Sequence, residues 1–311
     1  MSKVLITKDL AKSFGSNSAL RKISLEIESD QIVGLVGPNG AGKTTLFSLI
    51  CGFLKPSSGS LEVLGHPPLS PQLQGRVALL PQDAPLLRGV SLRKQFEFFA
   101  RLQGFSSKEA FQEAEKALDS VDLLSKADEF TDALSHGMNK RASLAQAFIG
   151  NPEFLLLDEP TAGLDPVTAQ KVRQLIVRER ANRSVLISSH NLAELQEVCH
   201  SVVILKEGAL IKYSKVSEVL DRAKTLIVRL ESSAKPDLLD SIKEVSGVIF
   251  ARIDTDCNSR LIITMKGSID DSEADLVILS ILKEHGVSYL EIRRGESLEE
   301  KVLEITNIKQ N

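Results

Sequence analysis

Along the first two thirds of the chain, apolar residues come in short unbroken runs, separated by stretches where they recur every three or four positions. Ile32–Val36, Val77–Leu80, Phe154–Leu157 and Val185–Ser188 are the unbroken runs. They alternate too little for strands with one wet face and predict strands buried on both sides. Between them the longer period predicts helices near residues 43–53, 91–103, 108–119, 138–150, 167–180 and 191–198. Strands alternating with helices predict an α/β architecture with a mostly parallel sheet. Ligands of such sheets sit beyond the C-terminal ends of the strands.

The rest of the chain follows another order. Its pattern predicts a strand (Thr225–Glu231), a helix (Pro236–Val245), two strands (Gly247–Asp254 and Arg260–Lys266), a helix (Ser272–His285) and a strand (Val287–Arg293), then a closing helix over Ser297–Glu304. The βαββαβ sequence predicts a small ferredoxin-like α+β unit. Ten of the 11 prolines lie at or before Pro166. Residues 1–218 carry 25 basic and 24 acidic side chains, against 13 and 17 in residues 219–311. These shifts predict two domains, 1–218 and 219–311.

Composition narrows the class of function. At 42% hydrophobic and 25% charged residues, the 311-residue chain can bury a sizeable core. A net charge of -3 argues against a broad nucleic-acid footprint, and no nucleic-acid partner is expected. No uncharged stretch exceeds the 13 residues Val63–Gly75, short of the roughly 20 needed to cross a bilayer. The opening residues lack the apolar run of a signal peptide. Cys51, Cys199 and Cys257 are too far apart for a metal or disulfide pattern and read as buried thiols in a reducing compartment. His66, His136, His200 and His285 show no ligand spacing, and no metal is assigned to them.

Two motifs carry chemistry. Gly37-Pro38-Asn39-Gly40-Ala41-Gly42-Lys43-Thr44 matches the phosphate-binding loop G-x-x-x-x-G-K-[ST], between a predicted strand and a predicted helix. Glycines let successive N–H groups turn toward phosphate oxygens, and the helix N-terminus adds positive potential. Lys43 is expected at the β/γ-phosphates, Thr44 on Mg²⁺ and Thr45 on an α-phosphate oxygen. The run Phe154–Leu157 ends in Asp158 and Glu159. Asp158 is placed to hold Mg²⁺ through water, and Glu159 to polarise the attacking water.

In order and spacing, residues 3–218 resemble the ATP-binding cassette (ABC) ATPases. Gln82 is similar to the family's Q-loop glutamine, which touches Mg²⁺ and the attacking water and faces the membrane partner. Leu134-Ser135-His136-Gly137-Met138 resembles the signature motif usually written LSGGQ, with His136 in place of the first glycine and Met138 in place of the glutamine. Methionine there resembles the drug-exporter branch. Asp165 in Ala162-Gly163-Leu164-Asp165 resembles the D-loop aspartate, and His190 in Ser188-Ser189-His190 the switch histidine. Phe14 stands where the family stacks an aromatic ring on adenine; a buried strand-end phenylalanine is the other reading.

The resemblance implies a P-loop ABC ATPase domain with a parallel-sheet core, an antiparallel β part and a helical subdomain over about 88–150. It implies ATP and Mg²⁺ as cofactors, with catalytic roles for Glu159, His190 and Gln82. Signature and phosphate loop of one chain lie on opposite sides of the nucleotide in this family. Two ATPase subunits, identical or different, are therefore expected to pair head to tail around two ATP molecules. With no span of its own, the chain is expected to dock on a separate transmembrane permease at the cytoplasmic face and to power transport, as an exporter. The alternatives are a regulatory or assembly subunit with low turnover and a soluble non-transport ABC ATPase.

Overall fold

The computed structural model describes residues 2–180, 183–220, 225–231, 236–253, 259–265 and 271–295, with Leu298 and Val302. The chain divides into two compact units, Met1–Val216 and Ser217–Asn311.

The first unit runs β1 (Lys3–Phe14), β2 (Asn17–Glu28), β3 (Ile32–Val36), α1 (Lys43–Ile50), β4 (Ser58–Val63), β5 (Val77–Leu80), α2 (Leu92–Leu102), α3 (Ser107–Ser120), α4 (His136–Gln146), β6 (Phe154–Asp158), α5 (Pro166–Glu179), β7 (Ser184–Ser188), α6 (Leu192–Val198), β8 (Ser201–Lys206) and β9 (Ala209–Lys215). The four apolar runs are neighbours in one six-stranded sheet of order β5-β6-β7-β3-β8-β9. All its pairs are parallel except β8–β9. A second, antiparallel sheet of order β2-β1-β4 packs into the same core, where Leu5, Leu10 and Ile27 meet Phe47, Phe154 and Leu186.

The strands β1, β2, β4, β8 and β9 are not among the runs singled out by pattern. In β1 the alternation is broken by register shifts against β2, including one between Thr7 and Leu10. An extra residue in a strand swaps the faces that follow, so the period-two signal is lost.

Side chains set the helix starts that matter for the site. Ser135 caps α4 by accepting the Met138 N–H, and Asp165 caps α5 by accepting the Val167 and Thr168 N–H groups, with Pro166 as first residue. The signature helix therefore begins at His136, two residues before the pattern placed it. In α3, Ser106 and Glu109 form a capping box. The helices α2, α3 and α4 form a separate helical layer around Phe96, Ala110, Ala114 and Leu118, all fully buried.

After α7 (Val216–Leu220), the second unit runs β10 (Thr225–Leu230), α8 (Pro236–Lys243), β11 (Val248–Ile253), β12 (Arg260–Met265), α9 (Asp271–Glu284) and β13 (Tyr289–Arg294). Its antiparallel sheet has the order β11-β12-β10-β13, the strand order of a ferredoxin-like unit. The core joins Val228, Leu261 and Ile263 of the sheet to Leu238, Ile242, Ile278 and Leu282 of the helices. The closing helix expected over Ser297–Glu304 lies outside the described residues, apart from Leu298 and Val302, which are helical and buried. Cys257 also lies outside them; Cys199 is buried and Cys51 partly so.

Phe154, fully buried in β6, tests the stability of the parallel core. Phe154→Ala is expected to lower unfolding free energy by about 3–5 kcal/mol in urea titration.

Candidate functional site

The loops after β3, β6 and β7 converge at the C-terminal edge of the parallel sheet. After β3 the chain turns through Gly37–Gly42 into α1. Glycine is required at two points. A β-carbon on Gly37 would lie 2.4 Å from the Leu205 carbonyl oxygen. Gly42 sits at φ 101°, and its β-carbon would lie 2.5 Å from Leu20 Cδ2 and 2.7 Å from the Ala19 oxygen. Lys43 follows at the helix start, only 9% exposed, and its Nζ donates to the carbonyls of Gly37 (2.7 Å) and Pro38 (3.3 Å). The loop therefore carries a desolvated ammonium wrapped by its own backbone.

Opposite it, β6 ends in two buried carboxylates, Asp158 and Glu159. Thr44 Oγ1 donates to Asp158 Oδ2 at 3.2 Å, and the Ser188 hydroxyl donates to Asp158 Oδ1. The Glu159 N–H reaches both Ser188 Oγ (3.0 Å) and the Ser188 carbonyl (3.2 Å). Glu159 adopts φ 50°, a left-handed conformation costing a non-glycine residue on the order of 1–3 kcal/mol. Two contacts from His190 act on its carboxylate: Nδ1 lies 2.6 Å from Oε2 and the His190 N–H donates to the same oxygen at 3.3 Å. The His190 ring is mostly exposed while the Glu159 side chain is buried, so the pair links solvent to the inner acid.

A cavity of about 530 Å³ joins the phosphate loop to the two acids; His190 is not in its lining and reaches it through Glu159. Phe14, Asn39, Gly40, Ala41, Gly42, Lys43, Thr44, Thr45, Gln82, Asp158 and Glu159 all line it. Gly37 and Pro38 stand behind Lys43 and contribute their carbonyls. Phe14 is 49% exposed, which overturns its reading as a buried strand-end residue; the Lys12 ammonium lies 5.1 Å from its ring centroid. Among the described residues no group of three or more His, Cys, Asp or Glu gathers as a metal cage.

The structure does not bring the signature residues to this cavity. Ser135, His136, Gly137 and Met138 open α4 elsewhere, with Ser135 and His136 exposed. Asp165 caps α5 and accepts the Thr168 hydroxyl at 2.6 Å. The Thr168 contacts hold its carboxyl below the usual range.

Pattern reasoning missed several residues here. Asn17, Ser18, Arg21 and Glu207 line the cavity from β2 and the β8–β9 turn, and no motif marks them. Ser188 ends a strand beside two acids, which is a signal only once β6 and β7 are known to be neighbours. Thr161 Oγ1 donates to Glu194 at 2.5 Å, and Arg173 pairs with the same carboxylate at 3.1 Å. This network ties the loop after Glu159 to the helix after His190.

Comparison with known proteins agrees with this geometry. The family model described as ABC transporter matches residues 20–162. An uncharacterized ABC transporter ATP-binding protein of Bacillus subtilis is 31% identical over 248 residues, covering 79% of this chain and 83% of its own. The lipopolysaccharide export system ATP-binding protein LptB of Haemophilus influenzae is 31% identical over 70% of this chain and 93% of its own. Among solved structures, cbiO1 of Clostridium perfringens, described as part of the ABC transporter complex cbiONQ, superposes with a TM-score of 0.65 at 28% identity, covering 70% of this chain and 91% of that one.

Ser188→Ala removes the hydroxyl between Asp158 and the Glu159 N–H. It is expected to cost about 1–3 kcal/mol in urea unfolding, because a buried carboxylate loses a donor. Unchanged stability would mean that water replaces the hydroxyl at no cost.

Proposed function

The chain belongs to the ABC transporter family as an ABC-type ATPase, and from that premise we propose that it binds and hydrolyses ATP to power a membrane exporter. The observation that carries this reading is the single cavity shared by Lys43, Thr44, Asp158 and Glu159. A triphosphate there would lie against the loop N–H groups and the Lys43 ammonium. Thr44 and Asp158, whose side-chain oxygens lie 3.2 Å apart, would hold a Mg²⁺ there, Asp158 through water. Such an ion would neutralise developing phosphate charge. Phe14 offers an exposed ring to adenine. Thr45 takes an α-phosphate oxygen.

Glu159 is the general base for the attacking water. His190 orients its carboxylate and contacts the γ-phosphate, and Gln82 completes the water and metal shell. The resemblance assigns Ser135, His136, Gly137 and Met138 to the nucleotide of a second ATPase subunit, with Asp165 at the shared interface; their position outside the cavity of their own chain fits that reading. ATP therefore acts as glue between two subunits, and removal of the γ-phosphate loosens the pair.

No helix among the described residues is long and apolar enough to cross a membrane. The partner in this reading is a separate permease at the cytoplasmic face, which the transporter subunits among the relatives support. A cavity of about 820 Å³ supports a docking position at Pro81, the residue before Gln82. Phe47, Ile50, Phe53, Leu69 and Pro81 line it, with Phe53 and Leu69 about 70% exposed. Thr44 and Asp158 line this cavity as well as the nucleotide cavity, so an apolar segment seated here adjoins the residues proposed to hold the metal. The export direction is supported by Met138, which resembles the drug-exporter branch, and by the similarity to a lipopolysaccharide export ATP-binding protein. Residues 217–311 serve as an accessory domain.

Glu159→Gln is expected to retain ATP binding, to lose hydrolysis by about 10²–10⁴-fold, and to elute as an ATP-dependent dimer in size-exclusion chromatography. Hydrolysis at the wild-type rate would remove Glu159 from the role of base.

A further inference from the structure

The segment 82–87, between β5 and α2, has no helix or strand, so side chains from the helical layer satisfy its backbone instead. The Ser143 hydroxyl donates to the Ala84 carbonyl at 2.8 Å, and the Thr131 hydroxyl to the Leu87 carbonyl at 2.7 Å. Gln95 Oε1 accepts the Leu87 N–H at 2.7 Å. At the start of the segment, Lys140 Nζ donates to the Gln82 carbonyl at 3.3 Å. Lys140 and Ser143 are three residues apart on one face of α4, the helix that Ser135 caps.

Gln82 lies between two cavities. It lines the nucleotide cavity, and it also lines a cavity of about 510 Å³ walled by His136, Lys140 and Ser143. Lys140 is half-buried. Burial pulls its ammonium below the ordinary lysine range, and Asp83 and Glu159 pull it back up. A neutral side chain here would avoid that desolvation. The geometric hold on the charge is the Gln82 carbonyl.

We propose that Lys140 is a positioning residue for hydrolysis: by holding the Gln82 carbonyl, it fixes where the Gln82 carboxamide meets the nucleotide cavity. The inference rests on the nucleotide site proposed above.

The test is steady-state ATP hydrolysis by the full chain. Lys140→Met keeps the aliphatic stem and removes the charge; kcat is expected to fall roughly ten- to a hundredfold, the scale of a small misplacement of a reacting group. KM for ATP is expected to stay within about twofold, since the phosphate cradle is untouched. Lys140→Arg is expected to restore kcat to within about threefold of wild type, a guanidinium being able to reach the same carbonyl. In a Gln82→Ala background, Lys140→Met is expected to add less than about a twofold loss, because both changes remove one device.

Wild-type kcat in Lys140→Met, no rescue by arginine, or a full independent loss on top of Gln82→Ala overturns the inference while leaving the ATPase reading intact. No turnover by the wild-type chain overturns both. Should Lys140→Met melt below wild type, Lys140→Ala in the same double-variant comparison decides: additive losses mean a structural role and refute positioning.

Discussion

A buried cation and two buried carboxylates face one another across a single cavity, and the first unit is organised around keeping them there. Lys43 is satisfied by the carbonyls of its own loop rather than by Asp158 or Glu159. Asp158 is satisfied by the hydroxyls of Thr44 and Ser188. Charges removed from water are costly unless they are paired or hydrogen-bonded. Lys43 and Asp158 are held by neutral dipoles, which leaves their charges unpaired with one another. A polyphosphate with a divalent ion is the chemical complement of that arrangement.

The same constraint explains the backbone. Gly37 and Gly42 allow the loop to close over Lys43 without colliding with Leu205 or Ala19. Glu159 bears a left-handed φ because the chain must leave β6 sharply while its N–H returns to Ser188 on β7. The fold over-determines these positions, since β3, β6 and β7 are packed neighbours in a parallel sheet. Around this rigid edge, the segment 82–87 is held by side chains alone. Its partners lie in the helical layer rather than in the sheet. The ferredoxin-like unit buries a core of its own.

Much of this was legible in the residues. Four of the five parallel strands announce themselves because burial on both faces removes polar positions; β8, equally buried, was not singled out. The phosphate loop announces itself because its glycines, lysine and threonine have fixed spacing. The acid pair was found because it ends an apolar run. The antiparallel strands were harder to see. Register shifts in β1 erase the period-two pattern on which such a reading depends.

By itself, the sequence determined the class of fold, the phosphate loop and the identity of the acid pair, because each is written in local spacing. Only the tertiary structure decided that Ser188 bridges the two acids, that Glu159 meets His190, and that Lys140 grips Gln82. Those partners are 29, 31 and 58 residues apart. Contacts at such separations are set by which strands and helices become neighbours, and no local period records that choice.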